Sequence, residues 1–141
     1  MSTSFEYTIF IGKPPQEIWD ALTRKELVDR YYLAPLLRLE AHPGGSIAYG
    51  YETEVIVGTV REAIAPAKLS HTFAFSDAPD YATLVSYVIQ PAGPSISRLT
   101  LSHTGFADED QTFADISGGW PAILSSLKTL LETGETLLWP R

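Results

Sequence analysis

Apolar and polar residues alternate along most of this chain, and near its end they switch to a helical rhythm. From Trp120 the apolar positions fall at Ile123, Leu124, Leu127, Leu130 and Leu131, one continuous stripe at i, i+3, i+4, i+7, i+10 and i+11. Ser117 is placed to cap this helix, Pro121 lies in its first turn, and Gly134 stands where a terminating glycine belongs. A helix with one apolar face, following a long strand-like stretch, needs a sheet to lie on.

The alternation predicts the strands. Phe5, Tyr7, Ile9 and Ile11 alternate with Glu6, Thr8 and Phe10, giving a first strand over residues 4–12. Gly12-Lys13-Pro14-Pro15 breaks it. Pro15 suits a first helical position and Glu17 the positive end of a helix dipole, with Ile18, Trp19 and Leu22 on one face. A second short helix is expected over Lys25–Tyr32, with Leu27, Val28 and Tyr31 inward. Five further strands follow: Ser46–Thr53, with Ile47, Tyr49 and Tyr51 on one side; Glu54–Ile64; Leu69–Phe75, with Leu69, His71, Phe73 and Phe75 on one side; Thr83–Gln90; and Ser97–Thr104. Glu54–Ile64 carries apolar residues on both faces, which suggests a central strand or a bulge near Gly58. Pro91-Ala92-Gly93-Pro94 reads as a turn. The order is strand, two helices, five strands, long helix. That order argues for an α+β domain, an antiparallel sheet with helices on one face.

Length changes this picture little: 141 residues, 45% of them hydrophobic, suit a single domain spanning residues 1–141. Charge narrows the partners. A formal net charge of -7, with ten scattered Lys and Arg, argues against nucleic acid. No run approaches the length of a membrane span, so no membrane insertion is expected. The absence of cysteine excludes disulfides and thiolate–metal sites and fits a cytoplasmic location.

Four stretches, taken in order, resemble the START-like superfamily, also called SRPBCC. Within it they are similar to the branch of the C-terminal domain of the heat-shock chaperone ATPase activator. They are Pro15-Gln16-Glu17-Ile18-Trp19-Asp20-Ala21-Leu22-Thr23; Gly44-Gly45 before a strand; Gly58-Thr59-Val60-Arg61-Glu62 running to Pro66-Ala67-Lys68-Leu69; and Leu99 to Phe106, followed by Gly119-Trp120 and the leucine-rich helix. The resemblance implies a helix-grip (Bet v-like) fold: a curved antiparallel sheet of about six strands around the C-terminal helix, with two short helices after the first strand closing one end. Family members include lipid and hormone carriers, polyketide cyclases, toxin-sequestering proteins and co-chaperone domains. No catalytic motif runs through them, so no residue role carries over.

The residues themselves offer limited chemistry. His42, His71 and His103 are far apart in sequence and form no HxxxH or HExxH spacing, so no metal is expected. His71 and His103 fall on the apolar side of their strands, which allows either pocket groups or hydrogen-bonded core histidines. Tyr49, Tyr51 and Tyr87 share inward parity, and Tyr31 and Tyr32 end the second helix. Buried hydroxyls need partners, from protein, water or ligand. Glu52 and Glu54 sit on a solvated face, and Asp108-Glu109-Asp110 reads as a surface loop. No G-x-S-x-G and no phosphate-cradling glycine loop occurs.

The expected function is binding of a small, mainly apolar molecule between sheet and helix, without a cofactor. The expected lining is Tyr32, Tyr49, Tyr51, His71, Phe73, Tyr87, Leu101, His103, Trp120 and Leu124. The alternatives are a co-chaperone-like interaction domain acting on a chaperone ATPase, with a homodimer also possible, and a cyclase- or hydrolase-type enzyme using the same pocket.

Overall fold

A computed structural model describes residues 3–107 and 110–137. Its elements are β1 (Thr3–Ile11), α1 (Pro15–Thr23), α2 (Lys25–Tyr31), β2 (Leu36–Leu39), β3 (Ser46–Gly50), β4 (Glu54–Ile64), β5 (Lys68–Phe75), β6 (Thr83–Gly93), β7 (Ile96–Phe106) and α3 (Gln111–Thr133). The strands form one antiparallel sheet in the order β1-β7-β6-β5-β4-β3-β2. Its curved inner face grips α3, and α1 and α2 close one end: the helix-grip fold.

Alternation drives the sheet. In β6, Val85, Tyr87 and Ile89 are buried while Leu84, Ser86 and Val88 are half-exposed; β7 repeats this with Leu99, Leu101 and His103. Strand β1 is half-buried at Phe5, Tyr7 and Ile9 and exposed between them. Trp120, Leu124, Leu127 and Leu130 of α3 complete the core against these faces. The helix is tied to β1 by polar contacts as well. The Gly12 N–H donates to Glu132 Oε2 at 2.7 Å, and Lys128 Nζ donates to the Phe10 carbonyl and to Glu132, each at 2.7 Å. The Lys128 hydrogen bond, followed by that of Gly12, holds the Glu132 carboxyl below its ordinary pKa.

Several expectations need correction. The sheet has seven strands, because Leu36–Leu39 adds β2 at the edge. Its register shifts between Leu36 and Arg38, so four residues show no alternation to read. Tyr51 is not on the inner face: β3 ends at Gly50, and Tyr51, at 69% exposure, belongs to the turn into β4. The chain reverses there because Gly50 packs directly on the Thr53 carbonyl, where a Cβ would not fit. β4 is an interior strand, as its two apolar faces suggest, and its bulge falls just beyond Gly58, between Val60 and Glu62, where it swings Ala63 towards the core and Ile64 out. Gly58 has another cause, since a Cβ there would run into the Thr72 carbonyl of β5.

A further correction concerns α3, which begins at Gln111 rather than near Ser117. Asp110 is its N-cap, accepting from the Phe113 N–H at 2.9 Å and from the Tyr81 hydroxyl at 3.0 Å. Pro121 therefore lies inside the helix, where it removes one N–H from the hydrogen-bond ladder. Gly134 ends the helix at φ 82°, with its N–H on the Leu130 carbonyl. Of the acidic triplet, Asp108 and Glu109 lie outside the described residues. The Pro91–Pro94 turn is also shorter than expected, because β6 continues to Gly93.

Candidate functional site

The extra turns at the start of α3 create a cleft. Tyr32 and Leu33 from the end of α2, Phe73 and Phe75 from β5, and Asp115, Ile116, Gly119, Trp120 and Ile123 from α3 enclose about 140 Å³. Its walls are overwhelmingly apolar. A dry apolar cavity of about 150 Å³ is large enough to hold a benzene ring. A smaller recess of about 40 Å³ shares Phe73, Phe75 and Ile116 and reaches Tyr81, Thr83 and Thr112. The helix over the cleft is weak by composition. Gly118 and Gly119 each cost helix stability of about 1 kcal/mol relative to alanine, and Pro121 follows them.

Two buried histidines stand behind the cleft on β7 and β5. His103 is fully enclosed, and both ring nitrogens are paired inside the protein. The Trp120 indole can only donate, and it reaches His103 Nδ1 at 3.0 Å. The ring proton therefore sits on Nε2 and is donated to Thr83 Oγ1 at 2.6 Å. The Thr83 hydroxyl in turn donates a hydrogen bond to the Phe73 carbonyl at 3.1 Å. This chain binds α3 to β7, β6 and β5. Burial, and then the neighbouring His71, push the His103 pKa down to about 3, so it is neutral.

His71 is enclosed to the same degree but only half paired. Its Nδ1–H donates to the Thr72 carbonyl at 2.8 Å, which leaves Nε2 as a bare acceptor. Nε2 has no hydrogen-bond partner, and neither has the buried Tyr32 hydroxyl. Burial lowers the His71 pKa to about 4. Around it lie aromatic rings. Tyr49 and Tyr87 have ring centres 6.5 and 6.4 Å from the imidazole, Tyr32 stacks on Tyr49 at 4.4 Å, and Trp120 is 6.1 Å from both Tyr32 and Tyr87. Burial raises the pKa of Tyr31, Tyr32, Tyr49 and Tyr87, and for Tyr31, Tyr32 and Tyr87 neighbouring tyrosines raise it further. Tyr31 donates to the Ala21 carbonyl at 2.8 Å. The cluster carries no charge at neutral pH.

Of the ten residues expected to line a pocket, Tyr32, Phe73 and Trp120 do line the cleft. Tyr49, His71, Tyr87, Leu101, His103 and Leu124 lie in the buried core behind it. Tyr51 stands apart on the surface, with its hydroxyl 3.4 Å from the Leu33 carbonyl. Sequence reasoning missed Leu33, Phe75, Asp115, Ile116, Gly119 and Ile123 as a wall. The signal was present: Phe113 and Ile116 extend the Trp120 stripe upstream at i−7 and i−4. Glu54 pairs with Arg38 at 2.8 Å on the surface. Among the described residues, no group of His, Asp and Glu side chains is gathered that could hold a metal ion.

The fold and the sequence can be set beside known proteins. A model of the family described as Activator of Hsp90 ATPase homolog 1-like protein matches residues 13–132. The chain belongs to this family. The fold is shared with the Aha1 dimer from Colwellia psychrerythraea, solved in solution, at TM-score 0.81 and 18% identity, covering 94% of this chain and 98% of that one. An HSP90 activator from Plasmodium falciparum matches at TM-score 0.79 and 20% identity over 92% of this chain and 96% of that one. CalU16 from Micromonospora echinospora matches at TM-score 0.77 and 18% identity, over 94% and 78% respectively. No curated protein matches the sequence. At these identities the likeness to solved structures is one of fold. Among the described residues, no helix is long and apolar enough to cross a membrane.

Proposed function

We propose that this family member binds a small, mainly apolar molecule in the cleft between α3, β5 and the end of α2. The observation that carries the reading is the cleft itself, about 140 Å³ walled by Tyr32, Leu33, Phe73, Phe75, Ile116, Trp120 and Ile123. Typical ligand pockets hold roughly 300–1,000 Å³, so this one takes a single ring or one end of a longer molecule. The glycine pair and Pro121 give the overlying helix the means to yield to something larger. Acid–base catalysis has little support. The free nitrogen of His71, with a pKa of about 4, is a poor base at neutral pH, and no second titratable group is paired with it.

The test uses Gly119. A Cβ there would meet nothing within 4 Å, and the residue lines the cleft. Toluene should raise the melting temperature of the natural chain and leave that of Gly119→Leu unchanged, because the leucine fills the space. Equal shifts in both proteins, or none in either, would remove the reading.

A second reading has its own support. The family description and the Plasmodium falciparum neighbour both refer to an activator of Hsp90, and Leu33 and Tyr51 are exposed beside each other on the surface. In this reading the chain docks on a chaperone of that kind. Co-purification with an Hsp90-type chaperone, lost in Tyr51→Asp, would support it; no association would count against it.

A further inference from the structure

We propose that Ile116 sets ligand size in this cleft, and that it restricts the natural ligand to a molecule of one ring. This deepens the reading of the cleft as a small-molecule site and rests on it.

The cleft has a neighbour. Phe73, Phe75 and Ile116 line it, and the same three side chains line the recess of about 40 Å³ that reaches Tyr81, Thr83 and Thr112. Two voids with three lining residues in common abut at those residues, so these side chains are the wall between them. The cleft alone has room for one ring, since a dry cavity of about 150 Å³ holds benzene. The recess alone is too small for a second ring. A longer molecule must occupy both, and the shared wall stands in its way.

The three members of that wall are not equivalent. Phe73 and Phe75 both belong to β5 and stand edge to face, with 5.5 Å between ring centres. Phe73 is buried and also packs against His103 at 4.9 Å, so it belongs to the core. Ile116 comes from the other side, on α3, and is only half-buried. It can be cut back without opening the core. It is also stiff, because a β-branched side chain in a helix keeps one strongly preferred rotamer. Ile116 is therefore a fixed partition rather than a swinging gate. Ile123 supplies the control. It lies about two turns further along α3. It is half-buried like Ile116 and lines the cleft, but it does not line the recess.

Cutting either isoleucine to alanine removes the same atoms, but only Ile116→Ala joins cleft and recess. Toluene and naphthalene, titrated by calorimetry with the full chain at neutral pH, read the difference. The natural chain should bind naphthalene at least about tenfold more weakly than toluene, because forcing extra atoms into a filled space is costly. In Ile116→Ala the affinity for naphthalene should rise at least about tenfold, since each further buried CH₂ is worth about fourfold. In Ile123→Ala the gain should stay within about threefold, because the second ring still meets the partition. Ile116→Val, a milder cut, should move naphthalene in the same direction by less, so the test stands even where alanine loosens the helix. Naphthalene binding the natural chain as tightly as toluene would show the helix yielding and would overturn the size limit. Equal gains in Ile116→Ala and Ile123→Ala, or none in either, would overturn the partition and leave the apolar cleft standing. No binding of toluene to the natural chain would instead remove the cleft itself as a site.

Discussion

The two halves of α3 do different work. From Leu124 to Leu130 the side chains on the core face, Leu124, Leu127 and Leu130, are fully buried, and Lys128 and Glu132 tie the helix to β1 and its following turn. From Gln111 to Gly119 the inward side chains are only half-buried, two glycines weaken the helix, and the space beneath is the cleft. One half holds the sheet; the other leaves room against it. The histidines behind them repeat the contrast. His103, beneath Trp120, has both nitrogens paired, whereas His71 has one nitrogen without a partner. A complete buried network fixes an arrangement.

The sharpest way to break this contrast is to empty one site in each half. Leu127→Ala, in the packed half, should cost about 2–5 kcal/mol in urea unfolding. Ile116→Ala, over the cleft, should cost about 1 kcal/mol or less, because half-buried side chains lose less on truncation. Similar costs would mean the two halves are equally packed.

Removing the hydroxyl between His103 and Phe73 should have the next largest effect. Thr83→Val keeps the shape but strands the Nε2 proton of His103, and should cost about 1–3 kcal/mol. Tyr32→Phe removes a hydroxyl that already lacks a partner, so it should leave stability unchanged or raise it. Equal losses for the two would erase the distinction between the complete and incomplete networks.

Acid should reveal both histidines. The unfolded chain takes up protons on them from about pH 6.5 downward, whereas the folded chain does so only near 4 for His71 and 3 for His103. The stability tied to their neutral forms is full above pH 6.5 and falls as pH drops towards 4 and then 3. Each histidine should contribute a slope of up to about 1.4 kcal/mol per pH unit in that window. His71→Leu should flatten the slope between pH 6 and 4. An unchanged slope would place the acid sensitivity elsewhere.

The smallest effect should come from Gly118→Ala. Nothing stands within 4 Å of its Cβ position, so alanine should stabilise the helix by about 0.5–1 kcal/mol. Destabilisation would show that this stretch is not held as a helix.

The same contrast explains what was legible. The packed half of α3 writes itself as a strict stripe ending at Gly134, and β4 begins and ends where its composition predicts, at Glu54 and Ile64. Gly118-Gly119 followed by Pro121 instead imitates a helix start, and that signal concealed Asp110 as the true cap. Strand parity placed Tyr49, His71, Phe73, Tyr87, Leu101 and His103 inward, and the helical stripe did the same for Trp120 and Leu124, but neither pattern could say which inward positions meet a void. That depends on the reach of α3 across β5. Tyr51 fails for a local reason, since Gly50 turns the chain one residue before the alternation would have carried it inward. The unpaired nitrogen of His71 is invisible to any pattern, because it follows from a single contact with the Thr72 carbonyl.

Amide and indole chemical shifts followed while toluene is titrated into the labelled protein test the central claim most directly. The account predicts saturable shifts confined to Leu33, Phe73, Phe75, Ile116, Gly119, Ile123 and the Trp120 indole. The groove at the other end of α3, lined by Leu27, Arg30 and Leu131, should stay silent. Shifts centred on that groove, or none that saturate, would contradict it.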